Sequence, residues 1–199
     1  MTAVGNAPAG LNSALFLVIA MGCAGAVHVL WMRLAPPGAL QLPLDMSMTF
    51  RGRRLFGANK TLRGLVMMPL AGAASFAAFA ASRNSLPDWL GAGMWPLVPG
   101  EYALIGMLAG LACMLAELPN SFVKRQLDIA PGELPRGGAL RFAFIAADRI
   151  DTPLGMMIAV SSIVAVQPTT WIWVLLLGSG VHAALSALMH LIGIKVRAF

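Results

Sequence analysis

The chain has 199 residues, of which 58% are hydrophobic and only 11% are charged, and its formal net charge is +6. Soluble domains carry about 25% charged residues, so this composition argues against a soluble protein and is typical of an integral membrane protein. Nucleic acid is a weak candidate partner, because the basic residues fall on one side of the predicted membrane topology. Anionic headgroups or phosphorylated ligands are the expected partners of that charge.

The apolar stretches predict five membrane-spanning helices. A helix needs about 20 apolar residues to cross the hydrocarbon core. The 43 residues from Thr152 to Ile194 contain no Asp, Glu, Lys or Arg, which is enough for two crossings with a turn at residues 167–170. The sequence therefore predicts one all-α membrane domain over residues 1–199. The three candidates that precede the long stretch are residues 11–34, 65–81 and 102–118.

The basic residues predict the orientation, because Lys and Arg are retained on the cytoplasmic side. An outside N-terminus and a cytosolic C-terminus put 13 of the 14 basic residues inside the cell and only Arg83 in an outer loop. The same loop contains Trp89, Trp95 and Tyr102, which are expected at the membrane interface. The predicted location is the cytoplasmic membrane. The inner basic residues are Arg33, Arg51, Arg53, Arg54, Lys60, Arg63, Lys124, Arg125, Arg136, Arg141, Arg149, Lys195 and Arg197.

Two long polar segments, residues 35–63 and 119–151, lie on the predicted cytosolic side. Both are rich in Pro, Gly and charge, and loops of this length usually carry function. Met46 and Met48 in the first loop are expected to fill gaps in an apolar core. His28 and His182 stand in apolar spans without ligand spacing, which favours packing or an interhelical hydrogen bond.

The first loop ends in FGANKTLRG, residues 56–64. Asn59 and Thr61 offer hydrogen bonds, and Lys60 with Arg63 supplies two cations beside a predicted helix N-terminus. This combination suits a phosphate. The alternative is ordinary positive charge flanking a span, with Asn59 or Thr61 as the helix N-cap.

The second loop begins with ELPNSFVKR. Pro119 is predicted to end the third span. On a following helical turn, Ser121, Lys124 and Arg125 would share one face, because residues three and four apart are neighbours on a helix. Such a face can bind a triphosphate. The alternative is a membrane anchor of snorkelling basic side chains.

The same loop ends in AADRIDTP, which places charges inside an apolar run. On a helix, Asp148 and Asp151 project to one side and can hold a divalent cation, for which magnesium fits hard oxygen ligands. The alternative is that Asp151 or Thr152 caps the fourth span while Asp148 pairs with Arg149 or Arg141. Charges at membrane depth are costly and usually face a wet cavity, which favours a functional site.

Together, these stretches resemble the CTP:phosphatidate cytidylyltransferase superfamily. SFVKR at residues 121–125 and DRID at residues 148–151 are similar to its signature, and GANKTLRG and ELPNSFVKR resemble motifs of its CDP-archaeol synthase branch. The resemblance implies a Mg²⁺-dependent transfer of CMP from CTP to a membrane lipid phosphomonoester, giving CDP-lipid and pyrophosphate in phospholipid biosynthesis. The acceptor would be archaetidic acid-like or phosphatidic acid.

The resemblance also implies roles for individual residues. Asp148 and Asp151 would ligate Mg²⁺, and Glu117 would either ligate metal as well or orient a lysine of the first loop. Lys124 and Arg125 would stabilise the triphosphate and the departing pyrophosphate. The partners would be CTP, the lipid phosphate and, as small-residue helix faces permit, a second subunit of a homodimer. The substrate-binding positions would be Asn59, Lys60, Thr61, Arg63, Asn120 and Ser121.

A transporter of ions or small solutes is the alternative from another functional class. Asp148 and Asp151 would then carry a cation across the membrane. This hypothesis predicts discontinuous helices near the bilayer midplane. A CDP-alcohol phosphotransferase would need further acidic residues after Asp151, and the sequence contains none.

Overall fold

The computed structural model describes residues 7–36, 38–135 and 137–193. Arg136, Lys195 and Arg197, which contribute to the predicted orientation, lie outside these ranges. The described chain is mostly helical, with one short antiparallel hairpin in which Thr49 is opposite Arg54. The elements are α1 (Gly10–Leu34), β1 (Thr49–Phe50), β2 (Arg53–Arg54), α2 (Leu62–Ala81), α3 (Asp88–Gly91), α4 (Pro99–Gln126), α5 (Gly138–Ser161) and α6 (Pro168–Leu191).

Within the described ranges, four helices are long and apolar enough to cross a membrane: α1, α2, α4 and α6. The prediction of a helical chain with several membrane-length helices is therefore confirmed. Helix α5 has 24 residues, but its composition differs because Arg141, Asp148, Arg149 and Asp151 lie along it.

The five long helices form a closed ring. Each packs against two others, in the cyclic order α1, α2, α4, α5 and α6. Small residues allow the backbones to approach closely, as in other membrane helix pairs. A Cβ atom at Gly72 would lie only 2.2 Å from the carbonyl oxygen of Gly106, and one at Gly155 only 2.5 Å from that of Ala112. The ring leaves room for a cavity along its axis.

Pro119 does not end a helix and Pro153 does not lie at the start of one, so most of the predicted second loop, residues 119–151, is part of α4 and α5. Helix α4 continues through Pro119 to Gln126, so the predicted end of the third span is wrong. Pro153 likewise lies inside α5, so neither Asp151 nor Thr152 caps a span. Proline removes one N–H donor, and membrane helices tolerate it where another group binds the freed carbonyl. The carbonyl four residues before Pro153, that of Arg149, accepts a hydrogen bond from Ser179 of α6 at 3.1 Å.

The turn before α6 also differs from the prediction. Helix α5 ends at Ser161 and Gln167 precedes α6, so the turn covers residues 162–167. Pro168 occupies the first turn of α6, where its missing N–H is not needed.

Two of the three aromatic residues expected at the interface are buried in the core instead. Trp95 and Tyr102 are each 1% exposed, whereas Trp89 is half exposed. The Trp95 indole donates to the carbonyl of Ala165 at 2.9 Å, and the Tyr102 hydroxyl donates to that of Trp95 at 3.0 Å. A Trp or Tyr can be buried when its polar group is satisfied in this way.

Met46 and Met48 are not core filler. Their side chains are 66% and 55% exposed on the first loop.

Candidate active site within the helix ring

A cavity of about 450 Å³ lies inside the helix ring and extends to both long loops. Every residue that the sequence analysis assigned to the site lines this cavity, apart from Asn120, which contacts two lining residues. The structure thus brings the three motifs together. The assigned residues on the wall are Asn59, Lys60, Thr61, Arg63, Glu117, Ser121, Lys124, Arg125, Asp148 and Asp151.

Asp45 organises the loop that carries the first motif. Its fully buried carboxylate accepts hydrogen bonds from the backbone N–H groups of Ser47, Phe56 and Gly57, and from the guanidinium of Arg54. Burial acts to raise the pKa of Asp45, but Arg54 and the backbone donors outweigh burial and hold that pKa well below its usual value. The sequence analysis missed Asp45. It is the only acidic residue among the first 87, and a single acidic residue in such a segment could have indicated a structural role.

Lys60 enters the cavity because its backbone is fixed on the loop, where its carbonyl accepts from the N–H of Leu44 at 2.8 Å. Its ammonium group forms an ion pair with Glu117 of α4. Burial acts to lower the pKa of Lys60, but the Glu117 carboxylate outweighs it and raises that pKa above its usual value. Glu117 also accepts a hydrogen bond from the hydroxyl of Thr152 at 3.1 Å. In this structure Glu117 therefore orients Lys60.

Thr61 and Arg63 complete this wall. Thr61 occupies the N-cap position of α2, but its side chain makes no capping hydrogen bond. Arg63 donates from Nε to the carbonyl of Ala39 at 3.1 Å, and its guanidinium lies 5.3 Å from the ring centroid of Trp31. These contacts hold the Arg63 side chain against the end of α1.

Asp148 and Asp151 of α5 contact side chains of the neighbouring helix α4. Lys124 Nζ lies 2.6 Å from Asp148 Oδ1 and 2.5 Å from Oδ2, so Asp148 pairs with a lysine of the neighbouring helix. The Asn120 amide donates to Asp148 Oδ1 at 2.6 Å and to Asp151 Oδ2 at 3.4 Å. One amide thus links both carboxylates.

Lys124 and Arg125 point inward instead of snorkelling. Together with Ser121 they are at most 9% exposed, which confirms that the three residues share a buried helix face. No residue in the described ranges accepts a hydrogen bond from the buried Nε of Arg125. Buried donors are nearly always paired, so an anionic ligand is the partner that this guanidinium suits.

Gly57 joins the two loops at this point. Its φ of 96° lies in the left-handed region, which glycine adopts without strain. A Cβ atom there would lie 3.2 Å from Pro131 Cγ of the second loop and 3.5 Å from Arg125 Cδ. The first loop therefore packs directly against the Arg125 side chain.

Asp148 and Asp151 are two carboxylates on the cavity wall that could hold a divalent cation. Among the described residues, no three Asp, Glu, His or Cys side chains group closely enough to hold a metal ion by themselves. The two aspartate carboxylates are neighbours, because the Asn120 nitrogen lies 2.6 Å from Asp148 Oδ1 and 3.4 Å from Asp151 Oδ2. Mg²⁺ usually takes one or two protein carboxylates and completes its shell with water and substrate phosphates, at about 2.1 Å.

His28 of α1 and His182 of α6 also line the cavity, which the sequence analysis did not anticipate. Their sequence positions gave no indication, because the two helices meet only in the folded ring. His28 and His182 add polar groups to the part of the cavity wall formed by α1 and α6, the two helices that are not next to α4 in the cyclic order of the ring.

The fold and the cavity define a helical membrane protein that encloses a charged site within a ring of apolar helices. A sequence model of the CarS-like, CDP-archaeol synthase family matches residues 38–199, and the chain belongs to this family. The family resemblance of the motifs is therefore confirmed.

Individual relatives agree with the family match. Proteins named CDP-archaeol synthase from Saccharolobus islandicus strain L.S.2.15 and Saccharolobus solfataricus strain P2 are each 30% identical over 114 residues, which is 57% of this chain and 54% of theirs. The protein of that name from Staphylothermus marinus is 36% identical over 105 residues, or 52% of each chain. The chain thus spans about half the length of the curated relatives it matches. No solved structure is significantly similar to it.

Proposed function

We propose that this protein transfers CMP from CTP to a membrane lipid phosphomonoester, giving CDP-lipid and pyrophosphate. The observation that carries the proposal is the buried Arg125, whose Nε has no acceptor in the described chain, next to the Lys124–Asp148 pair inside an apolar helix ring. A phosphate-rich ligand would satisfy this guanidinium. The names of the relatives support CTP and a lipid acceptor as the substrates.

The proposed chemistry depends on positioning and charge neutralisation. The lipid phosphate is already anionic at neutral pH, so it can attack the α-phosphorus of CTP without a general base. Such a transfer is accelerated when both substrates are held in line and the developing charge is compensated. Lys124 and Arg125 would stabilise the triphosphate and the departing pyrophosphate.

Asp148 and Asp151 would hold Mg²⁺, with Glu117 as a possible third ligand once a substrate displaces Lys60. The metal ion, when bound, acts as a Lewis acid that withdraws charge from the phosphate oxygens. Lys124, which pairs with Asp148 in this structure, would be available to bind phosphate if Asp148 held a cation instead. The same side chains thus neutralise each other before substrate arrives.

The remaining polar residues would bind the substrates. Asn120 links the two aspartates and would keep their carboxylates aligned. Ser121 shares the buried face of Lys124 and Arg125. The opposite wall, which would contact nucleotide or lipid phosphate, consists of Asn59, Lys60, Thr61 and Arg63.

The proposed topology has five spans, with the N-terminus outside and the C-terminus in the cytosol. Helix α5 would join the four apolar helices as the fourth span in chain order, because its two aspartates line the cavity. Both long loops then lie on the cytosolic side of the cytoplasmic membrane, where CTP is available. The single domain would act alone or as a homodimer.

The transporter hypothesis is less well supported. It predicted helices broken near the bilayer midplane, whereas α4 and α5 run unbroken through Pro119 and Pro153.

The experiment is pyrophosphate release by the reconstituted protein with CTP and Mg²⁺ and a panel of lipid phosphates. The panel contrasts ether-linked isoprenoid chains with ester-linked acyl chains. Turnover that requires CTP, a lipid phosphate and a divalent cation together is the expected result. Cation uptake into vesicles without any release of pyrophosphate would contradict the proposal and favour a transporter.

A further inference from the structure

The first loop exposes large apolar side chains outside the helices. Met46, Met48 and Phe50 are 66%, 55% and 46% exposed, and the cationic Arg51 beside them is also exposed. The Arg51 guanidinium lies 5.3 Å from the ring centroid of Phe50. Exposed apolar residues on membrane helices face lipid, but a loop in water gains nothing from such a cluster.

The position of Phe50 places this cluster at headgroup level. Its ring packs on Phe122 of α4, with centroids 5.9 Å apart. Helix α4 has 28 residues, or about 42 Å, which exceeds the hydrocarbon core of about 30 Å. Phe122 lies about 35 Å from the start of α4 at 1.5 Å per residue. With that start at the outer boundary of the hydrocarbon core, as in the proposed topology, Phe122 and Phe50 fall in the zone between acyl chains and water.

The outer face of α4 also reaches the exposed cluster of the first loop. Leu115, Pro119, Val123 and Leu127 are exposed at four-residue spacing, which makes one continuous outward stripe along the end of the helix. Phe50 contacts Phe122, which lies beside the stripe and directly precedes Val123 in the helix. The apolar surface of the loop is therefore continuous with the lipid-facing surface of the ring.

We propose that residues 46–51 dock on the inner leaflet, with Met46, Met48 and Phe50 at the boundary of headgroups and acyl chains and Arg51 on anionic headgroups. Apolar side chains flanked by cations are the pattern by which peripheral segments bind anionic membranes. Docking fixes the outer end of the loop whose inner end, held by Asp45, carries Asn59 and Lys60 into the cavity. The proposal takes the side of the membrane from the topology proposed above and does not depend on the proposed reaction.

A fluorescent label at residue 48 tests this surface. The two native cysteines are replaced (Cys23→Ser, Cys113→Ala), Met48→Cys is labelled with an environment-sensitive dye, and the protein is reconstituted in phosphatidylcholine vesicles with or without phosphatidylglycerol. Ala130→Cys, at an exposed position in the second loop, is the matched control. The thermal unfolding midpoint of each labelled protein confirms that it is folded.

The expected result is blue-shifted emission at residue 48 that brominated acyl chains quench, with a larger shift on phosphatidylglycerol, while the label at residue 130 emits as in water. Arg51→Gln should abolish the difference between the two vesicle types. Water-like, unquenched emission at residue 48 would overturn the proposal. So would a blue shift that grows with protein density and resists brominated lipid, because that would identify a second copy of the chain as the partner. An equal shift on both vesicle types would remove Arg51 from the proposal.

Discussion

Lys124 and Asp148 form an ion pair between α4 and α5 at the centre of the cavity. The lysine is 8% exposed and depends on Asp148 for compensation of its charge, whereas the Asp148 side chain is 38% exposed. Removing one partner of a buried pair leaves an uncompensated charge, whereas exchanging partners does not. In the proposed reaction, the arrival of a cation and a phosphate offers each side chain a new partner at the same time.

Asp148→Asn and Asp151→Asn should each lower turnover by at least about 100-fold, because loss of a metal ligand removes several kcal/mol of transition-state stabilisation. Pyrophosphate release at saturating CTP measures the effect, and the thermal unfolding midpoint checks the fold. Asp128→Asn is the matched control, since Asp128 is an exposed aspartate that pairs with Arg53 outside the cavity. Activity of either cavity variant within a few fold of wild type would remove the metal assignment.

The sequence predicted the members of this site but not all of their pairings. Motif spacing placed Ser121, Lys124 and Arg125 on one helix face, which the structure bears out. It did not indicate that Asp148 pairs with Lys124, because that contact joins residues 24 positions apart on different helices. Such pairs depend on helix packing, which local spacing does not determine. The Glu117–Lys60 pair corresponds to one of the two roles that the family resemblance implied for Glu117.

The first loop contains only the two-residue strands β1 and β2 as regular secondary structure, and Asp45 supplies the order that a longer helix or sheet would otherwise give. Its carboxylate gathers three backbone donors from both arms of the loop. The loop can thus present Lys60 and Asn59 in defined positions.

Asp45→Asn should destabilise the protein by about 1–3 kcal/mol, because the amide cannot accept every donor that the carboxylate accepts. The folded-state pKa of Asp45 lies below the unfolded value of about 3.9. Its contribution is therefore complete above that pH and is lost as the pH falls toward the folded-state pKa. Thermal unfolding midpoints in detergent between pH 6 and the acid limit should fall less steeply for the variant. Parallel pH profiles for both proteins would contradict this role.

The interior proline of α5 makes a second prediction at this scale. Ser179→Ala should cost about 1 kcal/mol, because it leaves the carbonyl of Arg149 without its donor. In a Pro153→Ala background the same substitution should cost less, since residue 153 then supplies the missing N–H. Ser162→Ala, at an exposed hydroxyl, is the control. A double-mutant cycle of unfolding midpoints measures the coupling, and strict additivity would show that Ser179 does not compensate for the proline.

The helices also show which of their boundaries the sequence patterns did not predict. Apolar runs located α1, α2 and α6, and the start of α4, to within a few residues, because hydrophobic length is a strong signal. The end of α4 lies eight residues beyond the predicted end of the third span. The proline signal failed at Pro119 and Pro153, because a partner such as Ser179 on another helix cannot be read from local sequence. Trp95 was misplaced for the same reason, since its acceptor lies 70 residues away on the chain.

At the scale of the whole molecule, the ring depends on direct contact between backbones. Gly106→Ala should lower stability by about 1–3 kcal/mol, because the added methyl group would lie 2.2 Å from the carbonyl oxygen of Gly72 and force α2 and α4 apart. Gly180→Ala is the control, since a Cβ atom at this helical glycine meets no atom within 4 Å. Thermal unfolding midpoints in detergent compare the two. Equal effects would mean that the α2–α4 contact does not limit stability.

Helix α1 precedes the family-matched region, which begins at residue 38, yet it closes the ring between α2 and α6 and supplies His28 to the cavity wall. A shortened protein starting at residue 38 would keep each of the motif residues but lack one of the five helices of the ring. Lipid acyl chains would then fill the space that α1 leaves. A separately expressed α1 peptide should associate with the shortened protein within the bilayer and complete the ring. The segment between α1 and residue 38 is therefore a suitable place to divide the protein into two complementing fragments.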